Sequence, residues 1–111
     1  MPVPLSKKRL RWRGFNQAEL LAEKVAENYG LAMDAANLIR VKHKKPQAKL
    51  DEVHRLENIK DCFAWQGSNL NKKNIILIDD VVTTGATLNE CAIVLHAAGA
   101  AEVWCLVVPK L

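Results

Sequence analysis

The 111-residue sequence predicts an α/β protein with an open, mostly parallel sheet flanked by helices. Three observations support this. Ile75-Ile76-Leu77-Ile78 is an uninterrupted aliphatic run, as in a strand buried on both faces of a parallel sheet. Val103 to Val108 reads as a second buried strand. Between them Leu88, Cys91, Ala92, Leu95 and Ala98 recur at helical spacing up to Gly99, so strand, helix and strand follow one another as a parallel crossover unit. The length suits a single domain over residues 1–111, with a core of modest size.

From the amino end, Pro2 to Gly14 reads as a loop, because Pro2 and Pro4 discourage regular pairing and Lys7, Lys8, Arg9, Arg11 and Arg13 crowd the next seven residues. Asn16 with Glu19 makes a capping box. Ala18, Leu21, Ala22, Val25 and Tyr29 form the apolar stripe of the helix it opens, and Gly30 ends it. Met33 to Val41 supplies a further strand. Residues 42–49 carry four Lys, one His and no acid around Pro46-Gln47, the composition of an exposed, mobile segment. Asp51 caps a short helix carrying Val53 and Leu56 inward, Cys62 to Trp65 is a short strand, and Gly67 to Asn74 is a polar connection.

Residues 79–87, Asp-Asp-Val-Val-Thr-Thr-Gly-Ala-Thr, follow the central strand, and such a strand-loop-helix junction is where open α/β sheets bind ligands. Thr83 to Thr87 offers successive backbone N–H groups and the positive end of a helix, a natural seat for phosphate. Carboxylates repel phosphate, so Asp79 and Asp80 need a different guest. Two ribose hydroxyls would satisfy them while the loop takes a 5′-phosphate; a divalent metal is the other use. Thr87 and Glu90 repeat the capping-box spacing, so the Thr87 hydroxyl is assigned to the helix and only its N–H to ligand.

Other phosphate chemistries fit less well. No Gly-x-x-x-x-Gly-Lys-Ser/Thr loop precedes the acids, which excludes a Walker-type ATPase. No Asp follows Asp80, which removes the acceptor of a phosphorelay receiver. No apolar run approaches the ~20 residues of a membrane span and no signal-peptide pattern opens the chain, so a cytoplasmic protein without membrane contact is expected. Cys62, Cys91 and Cys105 are widely spaced within apolar patterns and read as buried free thiols. Residues 1–60 hold 13 Lys and Arg against 7 Asp and Glu, while residues 61–111 hold 3 against 5. The basic half faces an anion. That anion is a pyrophosphate gripped by guanidinium forks, or the basic run is a solvated surface or a patch that touches nucleic acid. Trp104 reads as core; Trp12, between two arginines, is the tryptophan placed to meet a partner. His43 and His54 read as surface residues.

The run Ile76 to Thr87, Ile-Leu-Ile-Asp-Asp-Val-Val-Thr-Thr-Gly-Ala-Thr, resembles the phosphoribosyl pyrophosphate (PRPP) signature of type I phosphoribosyltransferases. Pro2-Val3-Pro4-Leu5, Arg11 to Ala18, and Pro46-Gln47 with Leu50, Arg55 and Asn58 are similar to the ComF/GntX, or competence-protein, branch. The resemblance implies an enzyme that transfers a phosphoribosyl group from PRPP to a nitrogen nucleophile, releasing pyrophosphate, with Mg2+ as cofactor. Asp79 and Asp80 become the catalytic pair, helping to hold the metal mostly through PRPP. Val82, Thr83, Thr84, Gly85, Ala86 and Thr87 become the phosphate loop. Lys8, Arg9, Arg11 and Arg13 take the pyrophosphate, and Lys44, Lys45 and Gln47 belong to a flexible loop that closes over it. Lys44 stands where relatives commonly have Thr.

The acceptor base or amine stays unnamed, because the hood that selects it in type I enzymes is expected to be missing or minimal here. The alternative is a non-catalytic PRPP- or nucleotide-sensing module serving competence, DNA uptake or purine metabolism. The branch often carries an amino-terminal zinc ribbon that this sequence does not show, which leaves open a truncated chain or a short gene product. Uncovered sheet edges make a homodimer a further expectation.

Overall fold

The computed structural model describes residues 1–5, 7–41, 62–80 and 85–107, and for residues 7–9 the backbone alone. Among the described residues seven elements follow in order: α1 (Lys7–Arg13), α2 (Gln17–Tyr29), β1 (Leu38–Arg40), β2 (Phe63–Trp65), β3 (Asn74–Asp79), α3 (Ala86–Ala97) and β4 (Glu102–Val107). Helices and a small parallel sheet make this an α/β fold, as the sequence predicts.

β3 is the axis of the molecule. It pairs in parallel with β4 from Asn74↔Glu102 to Asp79↔Val107. Along its other edge runs the amino terminus, where the Ile78 N–H donates to the Met1 carbonyl at 3.0 Å and the Val3 N–H donates to the Ile78 carbonyl at 2.9 Å. The Met1 ammonium, whose pKa burial lowers, donates to the Ile76 carbonyl at 2.9 Å. Pro2 therefore joins the sheet rather than preventing pairing, because the two neighbouring residues supply the ladder and its missing N–H falls on the far side.

Strand pairing on both edges and helices over both faces leave Leu77 fully buried and Ile78 only 2% exposed. Leu77 packs with Leu88, Cys91 and Leu95 of α3, and the cluster continues through Leu38, Phe63 and Leu70. α2 covers β3 on the opposite face, bringing Ala18 and Ala22 close. β1 and β2 form a separate antiparallel pair, Leu38↔Trp65 to Arg40↔Phe63, with residues 42–61 running between them. β2 rests on α3.

Several expectations change. Residues 7–13 are helical, not loop: Lys, Arg and Leu are good helix formers, the two prolines lie upstream, and Arg11 and Arg13 fall in the last turn, where the helix dipole favours cations. The Gly14 N–H closes the helix on the Leu10 carbonyl at 2.7 Å. The strand expected from Met33 to Val41 shrinks to Leu38–Arg40 because Asp34 builds a turn, its carboxylate accepting from the Ala36 and Asn37 N–H groups at 3.0 Å each. Those bonds also hold Asp34 below the usual carboxylate range against the opposing effect of burial, which is the largest single influence.

Tyr29 is exposed, the buried stripe of α2 narrowing to its alanines. Trp104 is 61% exposed: it shares a face of β4 with Glu102, to whose carboxylate its indole N–H donates at 3.2 Å, and α2 lies over β3 rather than over this outer strand. Cys62 and Cys91 are buried, but Cys105 is exposed. Asn16 caps α2 as expected, but its Oδ1 accepts from the Ala18 N–H at 3.1 Å rather than making a capping box with Glu19, and Gly30 closes the helix in the left-handed conformation.

Candidate functional site

The carboxyl end of β3 gathers the charges. Asp79 is its last residue and Asp80 follows, the Asp80 N–H donating to Asp79 Oδ1 at 2.9 Å. Because Met1 to Val3 runs parallel to β3 and Pro2 pairs with Ile78, the chain leaves this segment at the same end as the acids. It then turns into α1. Arg13, the last residue of that helix, brings Nη1 to 3.9 Å from Asp80 Oδ2. With 42% of the arginine side chain exposed, the pair contributes little to stability; its value is positional. Asn16 fixes the next junction, since the amide whose oxygen caps α2 also donates to the Val3 carbonyl at 3.1 Å.

α3 starts just beyond the acids. Gly85 stands at its N-cap with φ +76° and no side-chain cap, and the Asn89 N–H donates to the Gly85 carbonyl at 2.9 Å. The helix therefore opens at Ala86, and Thr87 lies inside the first turn rather than capping it. A glycine in the left-handed conformation lets the chain turn directly into the helix, which removes the need for a threonine cap. Gly85, Ala86 and Thr87 thus stand at a helix amino end, where backbone N–H groups and the dipole suit an anion.

Under the acids lies Cys91. Burial, reinforced by the negative charge of Asp79, pushes its thiol from 9.0 up to about 12, so it stays protonated and serves as packing, not as a nucleophile. The positive charge of Arg40 acts on the same thiol in the opposite sense. Arg40, the last residue of β1 with its guanidinium 5.4 Å from the Phe63 ring centroid, is therefore a cation at this end of the core that the sequence reading missed. Its signal was its place at the head of the basic segment 42–49.

The structure brings Asp79, Asp80, Arg13 and the start of α3 to one end of β3. Arg11 is exposed on α1, whose backbone also carries Lys8 and Arg9. Val82, Thr83 and Thr84 of the phosphate loop, and Lys44, Lys45 and Gln47 of the closing loop, lie outside the described residues. Among the described residues no group of three His, Cys, Asp or Glu side chains could hold a metal alone. Two neighbouring carboxylates do fit Mg2+ of the kind that keeps its waters and takes further oxygens from a bound phosphate.

A cavity of about 470 Å³ lies elsewhere, between α2 and the amino-terminal part of β3, with Met1, Val25, Leu31, Trp65 and Ile76 in its walls. Neither acid nor Arg13 lines it. Among the described residues no helix is long and apolar enough to cross a membrane.

Comparison with known proteins agrees with this geometry. Residues 14–109 match the phosphoribosyl transferase domain. The chain is 39% identical over 106 residues to "DNA utilization protein YhgH" of Salmonella typhi, covering 94% of this chain and 46% of the relative. It is 36% identical over 106 residues to "Competence protein F" of Haemophilus influenzae, covering 93% and 46%, and 43% identical over 96 residues to "Competence protein ComFC" of Bacillus subtilis, covering 83% and 35%. The chain thus spans about half the length of the first two relatives and about a third of the last. No solved structure matched. A parallel strand that ends in paired acids, a glycine-started helix after it and a match over most of the sequence together place the chain in the phosphoribosyl transferase domain family, on its competence-protein branch.

Proposed function

We propose that the domain binds PRPP at the carboxyl end of β3 and transfers its phosphoribosyl group to a nitrogen nucleophile. The observation that carries this is the convergence of Asp79, Asp80 and Arg13 beside the start of α3, within a phosphoribosyl transferase domain. The acids accept hydrogen bonds from the ribose hydroxyls and so set the direction of the anomeric bond. The backbone N–H groups of Gly85, Ala86 and Thr87 serve the 5′-phosphate together with the loop before them. Arg13, with the other cations of α1, neutralises the pyrophosphate.

In the reaction the acceptor nitrogen forms the new bond to the anomeric carbon. The bond to pyrophosphate breaks with its electron pair leaving on oxygen, and the acceptor sheds a proton. Positive charge grows on the sugar and negative charge on the leaving group, so preorganised acids on one and cations on the other stabilise the transition state. Mg2+, held by Asp79 and Asp80 largely through PRPP, would supply further neutralisation of the pyrophosphate. No protein nucleophile is required.

A second reading keeps the cradle and drops the turnover: a PRPP- or nucleotide-sensing module in the cytoplasm. It is favoured by relatives named for competence and DNA utilization. Pyrophosphate release from PRPP and Mg2+ with a panel of bases and amines separates the two. Release that depends on one acceptor supports the transferase, whereas saturable PRPP binding without release with any acceptor supports the sensor.

A further inference from the structure

β4 gives one edge to β3, from Asn74↔Glu102 to Asp79↔Val107, and among the described residues its other edge pairs with no strand. A free edge is a row of unmet N–H and C=O groups, which proteins blunt with Lys, Pro, a bulge or a very short strand. β4 has none of these: Glu-Val-Trp-Cys-Leu-Val runs six residues in unbroken register with β3, and its only charge is Glu102 at the start. Two large apolar side chains, Trp104 at 61% and Leu106 at 40%, stand exposed on the face that α2 leaves uncovered. Trp12 and Tyr29 are more exposed, but they lie on helices, whose backbone groups bond within the helix. At β4 an apolar face and an unmet backbone edge coincide.

We propose that this edge of β4 pairs antiparallel with the same edge of a second copy of the chain, about a two-fold axis at Cys105. The strand's own sequence selects the occupant and the register. Turning β4 about Cys105 sets Trp104 opposite the partner's Leu106 and Val103 opposite the partner's Val107, so apolar side chains meet on matching faces and Val103 to Val107 are paired throughout. The two Glu102 carboxylates then fall roughly 20 Å apart. A parallel partner in register would oppose them, and an axis at Trp104 would set Leu106 against the partner's Glu102. With the axis at Cys105 the two sheets continue as one, and the two Cys105 Cα atoms lie ~4.5–5.5 Å apart, within the span of a disulfide. An edge ~20 Å long buries less than the ~800 Å² per partner of a standard interface, so the dimer is weak and its population follows concentration.

The test is sedimentation velocity of the full chain up to about 500 μM. It is repeated with Trp104→Lys/Leu106→Lys, with Trp104→Glu/Leu106→Glu and with an equal mixture of the two, each shown by circular dichroism to be folded. The parent should move from the 12.4 kDa of one chain towards twice that mass as concentration rises. Each charged variant should dimerise at least about 10-fold more weakly, because like charges oppose each other across the pairing, and the mixture should recover the dimer. Diamide, which takes up the two electrons and two protons of a thiol pair, should link two parent chains through Cys105. Cys105→Ser should not be linked, since Cys62 and Cys91 are buried. The proposal is overturned if the parent stays monomeric at every concentration, if the charged variants dimerise as well as the parent, or if the mass climbs past two copies, which a two-fold pairing that uses up the edge forbids. A dimer that diamide does not link would overturn the register about Cys105.

Discussion

The two ends of β3 are built for different tasks. Its carboxyl end carries two acids, receives an arginine from α1 and faces the start of a helix. Its amino-terminal part borders a cavity of about 470 Å³ walled mainly by apolar side chains of α2 and the sheet, with Asp34, Asn37 and Lys73 among its polar members. The described cavity and the charged groups thus lie at different parts of one strand. A highly charged ligand such as PRPP is recognised by opposed charges and N–H groups, not by enclosure, and the crossover topology places these at strand carboxyl ends. The cavity is a packing feature of the α2 face, and substitutions at the two ends should behave differently.

The largest effect lies between them. Leu77→Ala empties a fully buried position against α3 and should cost about 3–5 kcal/mol in urea denaturation, harming both ends alike. A midpoint that hardly moves would mean that β3 is not the axis of the core.

Cys91, beneath the acids, gives a pH signature. Its thiol is protonated in the folded and unfolded states below pH 9 or so, so its contribution is complete there. Its folded value of about 12 lies above the ordinary 9.0, so stability should fall as pH rises between these values. The slope is about 1.4 kcal/mol per pH unit, and Cys91→Ala should lack it. Equal slopes in the two proteins would show that burial does not raise the thiol in the folded chain. At the turn into α3, Gly85→Ala should cost about 1–2 kcal/mol, because an alanine at φ +76° is strained although its methyl would meet no atom within 4 Å. Thermal unfolding of the variant measures that strain; none would mean that the turn relaxes.

How far this arrangement could be read from the sequence depended on the kind of signal. β3 was legible because four successive aliphatic residues have few other uses, and α2 because Asn16 and Gly30 bracket it with caps whose chemistry is local. The acids were legible by composition alone. Other features depend on partners distant in sequence. Met1 to Val3 is a sheet segment only because Ile78 accepts it, and Pro2 argued against it locally. Trp104 has a core-like pattern yet is exposed, since α2 lies over β3 rather than over the face of the outer strand that carries it. α1 was misread because crowded cations suggest repulsion, while its dipole and helix-forming residues favour the helix. Thr87 fitted a capping pattern that Gly85 makes unnecessary.

The smallest stability effects sharpen the comparison of the two ends most cleanly. Arg13→Ala should change stability by no more than about 0.5 kcal/mol, because its ion pair is long and half-exposed, yet weaken PRPP binding several-fold. Leu31→Ser, at the cavity, should leave PRPP affinity unaltered. The reverse pattern, with Leu31 mattering and Arg13 not, would move the ligand to the wrong end of the strand.

The most direct measurement is calorimetric titration of PRPP with Mg2+ into the parent chain and into Asp79→Asn/Asp80→Asn, both shown by circular dichroism to be folded. Saturable binding that weakens by at least about 100-fold in the double variant is the predicted result, since two charge-assisted hydrogen bonds to ribose are lost together. Binding that the substitutions leave within a few-fold of the parent, or a folded parent chain that binds no PRPP, would contradict the assignment of the carboxyl end of β3 as a PRPP cradle.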